Sequence, residues 1–355
     1  MTNHNNTTFP PMTGRIFETG MGRVRLDRLL GEGGFGAVYE AVALDSPGAR
    51  RYAVKLIVRN TVTENAQARE IALHEAVSSH ANIVDIHYAE FLEDYLFIVL
   101  GLCTGGSLLD KLFQGEFQGE GATEKIKLVF GQILDAVEHC HEQGVYHRDL
   151  KPENILIEGE GEDMHVLLTD FGVSSDKEYV QSYRCGTQAY WSPECQGDMG
   201  ASSYSLEAND VWSLGVILVL MIKNQFPWQV ASPKDPLFQA YINDSQRIGA
   251  SLNISGNAWQ LLQMVFTLDE SERLGIADIR NILNMMDAFS SSVTNDSSAL
   301  GSGEVEFSRS QELGVQSVDC VQELVECGVE DERAVCGLVK HTGTTIFHDC
   351  LSTFV

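Results

Sequence analysis

From residue 22 to about 101 the chain alternates apolar and polar positions in short runs, and beyond that it switches to a helical period. The segment "RVRLDRLLGEGGFGAVYEAVALD" (23–45) predicts two strands around a glycine-rich turn, and "RRYAVKLIV" (50–58) a third, rich in β-branched residues. In "TENAQAREIALHEAVSS" (63–79) the spacing becomes helical, with Ala68, Ile71, Ala72 and Val77 on one face. Two further strands are expected from "NIVDIHYAEF" (82–91) and "YLFIVLGL" (95–102). After "CTGGS" the segment "TEKIKLVFGQILDAVEHCHEQG" (123–144) is strongly amphipathic: Ile126, Phe130, Ile133, Leu134 and Val137 form its stripe and Gly144 lies past its end. "HVLLTDFG" (165–172) is a short buried strand feeding a turn, and residues 206–288 alternate helical patterns with polar turns. The expectation is an α+β chain of two lobes, a small β-rich one with a single helix (22–101) and a larger helical one (102–288).

The flanks read differently. Residues 1–21, with "FPP" and scattered glycines, suggest a flexible leader, and 289–310 a serine/glycine-rich linker. An acidic tail with four cysteines follows at 311–355, where Val321, Leu324 and Val325 fit one short helix. The apolar run "VWSLGVILVLMI" (211–222) is about half the length of a membrane span and fits a buried helix. A net charge of −26 argues against nucleic-acid and anionic-membrane partners and favours basic ones. The eight cysteines contain no CxxC pair and the start has no secretory pattern. Reduced thiols and a cytoplasmic or nuclear location are therefore expected, with a monomer as the default.

Four stretches carry the chemistry. "GEGGFGAV" (31–38) places Gly31, Gly33 and Gly36 where a hairpin can lie over phosphates with its backbone N–H groups uncovered. The glycines sit between two strands, not between a strand and a helix, which argues against a dinucleotide fold. In "YAVK" (52–55) Lys55 ends an apolar strand and needs a counter-ion, which Glu70 in the next helix offers. In "HRDLKPEN" (147–154) and "TDFG" (169–172), Asn154 and Asp170 supply hard oxygens for magnesium. Asp149 can accept the proton of an incoming hydroxyl, and Lys151 can neutralise charge at a transferring phosphoryl group.

In their order and spacing these motifs resemble those of eukaryotic protein kinases, from roughly Gly22 to Asp287, about three quarters of the chain. "KPEN" with Lys151 resembles the serine/threonine type. The segments "REIALHEAVSSHANIVDIH" and 190–242 are similar to fungal kinases that regulate meiosis and nutrient responses. The resemblance implies a transfer of the ATP γ-phosphoryl group to serine or threonine hydroxyls of proteins, in a regulatory signalling role. It implies ATP contacts at Gly31, Glu32, Gly33, Gly34, Phe35, Gly36, Val38, Ala53, Lys55, Glu70, Leu102, Cys103 and Leu156, with Leu100 as gatekeeper. It further implies Asp149 as catalytic base, Lys151 and Thr187 beside it, and Asn154 and Asp170 as Mg2+ ligands. Glu194 would pair with Arg273, and Asp210 would brace the catalytic loop.

Three departures from the family pattern stand out. His74 occupies a position that is usually apolar. Of three positions that often recognise basic substrate residues only Glu153 is acidic, Ser107 and Leu220 filling the others. The stretch 170–194 is short and has no threonine at the common activation site, although Arg148 could grip a phosphate there. A catalytically silent scaffold is the competing reading, and a tail acting as the binding module a third. Retention of Lys55, Glu70, Asp149, Asn154, Asp170 and Gly172 favours the enzyme.

Overall fold

A computed structural model describes residues 10–33, 36–59, 64–198, 200 and 202–290. These fall into two compact units, one gathering residues up to Ser78 with Val84–Cys103, the other Ser79–Ile83 with residues from Thr104 on.

The first unit is a six-stranded antiparallel sheet in the order β1-β2-β3-β4-β6-β5. Its strands are β1 (Ile16–Thr19), β2 (Gly22–Gly33), β3 (Gly36–Ala43), β4 (Arg51–Val58), β5 (Ile86–Phe91) and β6 (Tyr95–Leu100), with helix α1 (Glu64–Val77) between β4 and β5. Five of the strands are those the alternation predicts; β1 is an addition, lying in the stretch expected to be a flexible leader. There Met12 and Phe17 are buried in the same cluster as Val24, Leu26, Tyr39, Ala41, Tyr52, Val54 and Phe97. The chain thus joins the sheet from Ile16 and its core from Met12, and residues 1–9 lie outside the described ones.

Helix α1 also turns a different face inward. Ile71 and Val77 are buried as expected, but Gln67, Leu73 and His74 join them while Ala68 and Ala72 are half-buried. His74 is satisfied by backbone, its Nε2 2.7 Å from Val84 O, while Gln67 Nε2 donates to Val58 O at 3.1 Å and its Oε1 stays buried with no partner among the described residues. A polar side chain with a backbone acceptor can occupy an apolar position without the cost of an unmet hydrogen bond.

The second unit is mainly helical: α2 (Leu108–Phe113), α3 (Ala122–Glu142), α4 (Leu206–Lys223), α5 (Pro236–Asn243), α6 (Ser245–Ser251), α7 (Gly256–Val265) and α8 (Ile276–Asn284). It also holds the hairpin β7 (Ile155–Glu158) with β8 (His165–Leu168), and the two-residue pair β9 (Tyr179–Val180) with β10 (Tyr204–Ser205). The whole expected stripe of α3 is buried. Its end is a Schellman turn, with Gly144 at φ 69° and the Gly144 and Val145 N–H groups donating to His141 O and Cys140 O. That turn aims the chain straight into residues 147–154. Helix α4 is buried on nearly every side, as a run of twelve apolar-rich residues requires; among the described residues no helix is long and apolar enough to cross a membrane. Trp212 of α4 packs against Trp228, Phe238 and Phe266. The folded unit runs through Ser290, which bridges to Ile254, while most of the 289–310 linker and all of the 311–355 tail lie outside the described residues.

Candidate active site

The strand register positions the first group of residues. Lys55 lies opposite Val38 and Ile98 in the sheet, and its Nζ meets Glu70 Oε1 of α1 at 2.7 Å, with both side chains nearly buried. Ala53 lies opposite Leu100 and Glu40, so Val38, Ala53 and Lys55 share one face of the sheet by the period of two. Leu100 is buried and Leu102 and Cys103 are half-buried. Gly31, Glu32 and Gly33 form the exposed tip of β2, and Gly34 and Phe35 lie outside the described residues. Gly36, at φ 133°, has no room for a side chain: a Cβ there would collide with Leu56 O.

In the second unit the β7–β8 hairpin does the placing. Ile155 pairs with Leu168, so Asn154, just before β7, faces the chain just after β8, and Thr169 N donates to Asn154 O at 3.0 Å. Asp170 follows at φ 66°, a left-handed conformation that aspartate tolerates better than most residues. Leu156 is half-buried in β7 and bridges to Ser107.

The loop 147–154 is held from beneath. Asp210, fully buried in α4, accepts from His147 N and Arg148 N, each at 2.8 Å, and lies 3.0 Å from His141 Nε2. These bonds hold Arg148 at φ 67°, a strained value for a long side chain. The His147 ring is also fully buried, its Nε2 3.1 Å from Thr169 O and its Nδ1 accepting from Asp149 N at 3.3 Å. It packs at 5.1 Å against the ring of Phe171. The loop and the "DFG" turn are therefore one hydrogen-bonded body.

On that body Lys151 Nζ bridges Asp149 Oδ2 at 2.7 Å and Thr187 Oγ1 at 2.9 Å. Asn154 Nδ2 donates to Asp149 O at 2.9 Å and approaches Oδ2 at 3.3 Å. Asp149 Oδ1 is buried and has no hydrogen-bond partner among the described residues. Burial alone would pull Lys151 down, but the Asp149 carboxylate, with Glu153 and Asp170 adding to it, outweighs that and holds its ammonium above the ordinary lysine value. The site is thus a fixed cation beside a carboxylate whose second oxygen is buried and not matched by a donor among the described residues.

Thr187 arrives there because Gly186 precedes it. At φ 90°, Gly186 lies so close to the loop that a Cβ would collide with Arg148 O. Downstream, Glu194 Oε1 meets Arg273 Nη1 at 2.5 Å in a buried pair, and Arg273 also donates to Ala208 O and Thr267 O and lies 5.0 Å over the Trp212 ring. The expected contacts of Asp210 and Arg273 are both present. Sequence reasoning missed His141, Gly186, and the α4 residues Asn209 and Ser213, which bind Ser192 N and Tyr190 O. The one available signal was helical spacing, which puts Ser213 three residues after Asp210 on the same face. Ser107 is the N-cap of α2, bonded to Asp110, and Leu220 is fully buried in α4, so neither side chain is presented for recognition.

The protein kinase domain family model matches residues 24–284, the span that carries every group just described. The chain belongs to the protein kinase family. This kinase chain is 33% identical over 285 residues to the "Negative regulator of sexual conjugation and meiosis" of Schizosaccharomyces pombe, covering 74% of this chain and 59% of that protein. It is 33% identical over 232 residues to the serine/threonine-protein kinase ksp1 of the same yeast, covering 63% of this chain and 48% of that one. With CBL-interacting protein kinase 21 of Oryza sativa subsp. japonica it shares 32% over 269 residues, 73% of this chain and 48% of the relative. The kinase chain therefore spans about half the length of the curated relatives it matches.

Proposed function

We propose that this chain transfers the γ-phosphoryl group of ATP to serine or threonine hydroxyls of protein substrates. The observation that carries this is the Asp149–Lys151–Thr187 contact, with Asp149 Oδ1 left without a hydrogen-bond donor among the described residues. An incoming hydroxyl donates to the Asp149 carboxylate, which orients it for attack and takes its proton as the new P–O bond forms. Lys151 stays protonated through the neutral range and neutralises charge on the equatorial oxygens of the group in transfer. Lys55, kept in place by Glu70, offers a cation to the nucleotide phosphates.

The residues present fit magnesium. With its amide nitrogen committed to Asp149 O, Asn154 keeps a carbonyl oxygen for a hard cation, and Asp170 adds a carboxylate. Among the described residues no three His, Cys, Asp or Glu side chains cluster closely enough to hold a metal unaided. That suits Mg2+, which takes one or two protein oxygens and completes its shell with water and substrate phosphates. When bound, it would neutralise phosphate charge and orient the transferring group.

The test is a serine/threonine peptide array with Mg–ATP, run alongside Asp149→Asn. Turnover should fall by about 10² or more while nucleotide binding is retained, because only proton acceptance is lost. Undiminished turnover in that variant would reject Asp149 as the base, and an inactive parent chain would reject the reading altogether.

A further inference from the structure

Charge is unevenly distributed along this chain. The first 60 residues carry eight Lys or Arg against five Asp or Glu, in a protein whose net charge is −26. The fold gathers the arginines. Arg25 lies opposite Val42, which lies opposite Arg51, and Arg28 lies opposite Glu40 in the next row. The other face of these strands is the core that holds Val24, Leu26, Tyr39, Ala41, Tyr52 and Val54. Three arginines therefore stand together on the face that alternation makes common to Arg51, Ala53 and Lys55.

Two carboxylates serve these three cations. Nearly buried Glu40 takes both Arg28, at 2.9 Å, and Arg51, at 2.5 Å, while Asp27 takes Arg25 at 2.6 Å. The arginine side chains keep 44–65% of their surface exposed. Glu40 works as a clamp: one buried carboxylate fixes two guanidinium groups while leaving their outer N–H donors to solvent. The patch keeps a net positive charge and a preorganised set of forks suited to carboxylates.

We propose that this arginine face is the docking site for the chain's own acidic segment 319–332. That segment, "DCVQELVECGVEDE", holds six carboxylates and no Lys or Arg. Residues 291–318 can extend to roughly 90 Å, so tether length does not limit the encounter, and the intramolecular link raises the local concentration of the segment. Because the patch shares its face with Lys55, docking places negative charge beside the strand that would meet nucleotide phosphates. The segment then acts as an electrostatic competitor for that strand.

The test uses the full chain with Arg28→Lys and Arg51→Lys, which keep the charge and introduce amines that a zero-length carbodiimide can couple to carboxylates. Mass spectrometry of the monomer band should find either new amine joined to a carboxylate of 319–332. The yield should fall about fivefold or more between 50 and 500 mM NaCl, as screening shortens the reach of the charges. Asp27 and Glu40 are internal controls; links to them alone overturn the proposal, as does a tail link insensitive to salt. A tail link found only in the dimer band assigns the patch to a second copy and also overturns it. As a second measurement, phenylglyoxal should modify Arg28 and Arg51 about threefold faster once the six carboxylates are changed to Gln and Asn. Equal rates overturn docking without any appeal to kinase activity.

Discussion

Asp210→Asn separates holding the catalytic loop from performing its chemistry. Asp210 touches no reacting group; it accepts from His147 N and Arg148 N through different oxygens, each at 2.8 Å. Asparagine has the same shape but one acceptor, so whichever way the amide turns, one buried backbone N–H faces an NH2 group. Losing a charge-assisted hydrogen bond costs about 1.5–3 kcal/mol. At about 2–4 °C per kcal/mol for a unit of this size, the unfolding midpoint should fall by roughly 3–12 °C. The lost bond is also what keeps Arg148 at φ 67°, so the loop relaxes and Asp149 moves with it. A displacement near 1 Å should cost about 10²-fold in kcat. Nucleotide binding, read by fluorescence titration, should change little, because Lys55 and Glu70 belong to the other unit. Differential scanning fluorimetry with steady-state kinetics checks both numbers. A variant with wild-type kcat and a midpoint shift under about 2 °C would refute the view that Asp210 sets the loop geometry.

Arg273→Met should destabilise by about 3–5 kcal/mol, since it leaves Glu194 charged and buried without its cation. Adding Glu194→Gln should recover part of that loss in urea titrations, which a purely steric effect of Met would not allow. Gly186→Ala must move either the Thr187 segment or Arg148 O, and strain of about 1–3 kcal/mol should appear as a roughly ten- to hundredfold drop in kcat with normal nucleotide affinity. On the acid side half-buried His80 and exposed His87 matter, because partial desolvation first of all holds both below the ordinary histidine value. The unfolded chain therefore takes up these protons first, and stability should fall as pH drops through about 6.5. His80→Gln should flatten that slope in thermal melts, and an unchanged slope would remove His80 from the account.

How far the sequence could be read depended on where each side chain finds its partner. Asp149, Lys151 and Asn154 were legible because they lie within six residues and each chemical type has one obvious use. The brace was legible only through family resemblance, as 62 residues separate Arg148 from Asp210 and no local period links them. The inner face of α1 was misread because apolarity is a poor guide where Gln67 and His74 find backbone carbonyls. Gly186 carried no signal at all. Its role is a negative volume, the absence of a Cβ at one crowded point, and a single sequence does not distinguish that from an ordinary turn glycine.

Strand β1 has a consequence for what counts as one cooperative piece of this protein. The kinase match begins at residue 24, yet Met12 and Phe17 are 3% and 6% exposed within the core of the same sheet. Their burial contributes about 3–6 kcal/mol, a large share of the stability of any small domain. A chain trimmed to the residues of the family match would thus lose part of its own floor. In the intact protein the same geometry turns residues 10–19 into a handle. A protease cut, a covalent mark or a partner that peels this outermost strand would loosen the sheet on which Lys55 is mounted, without touching a single residue of the reaction.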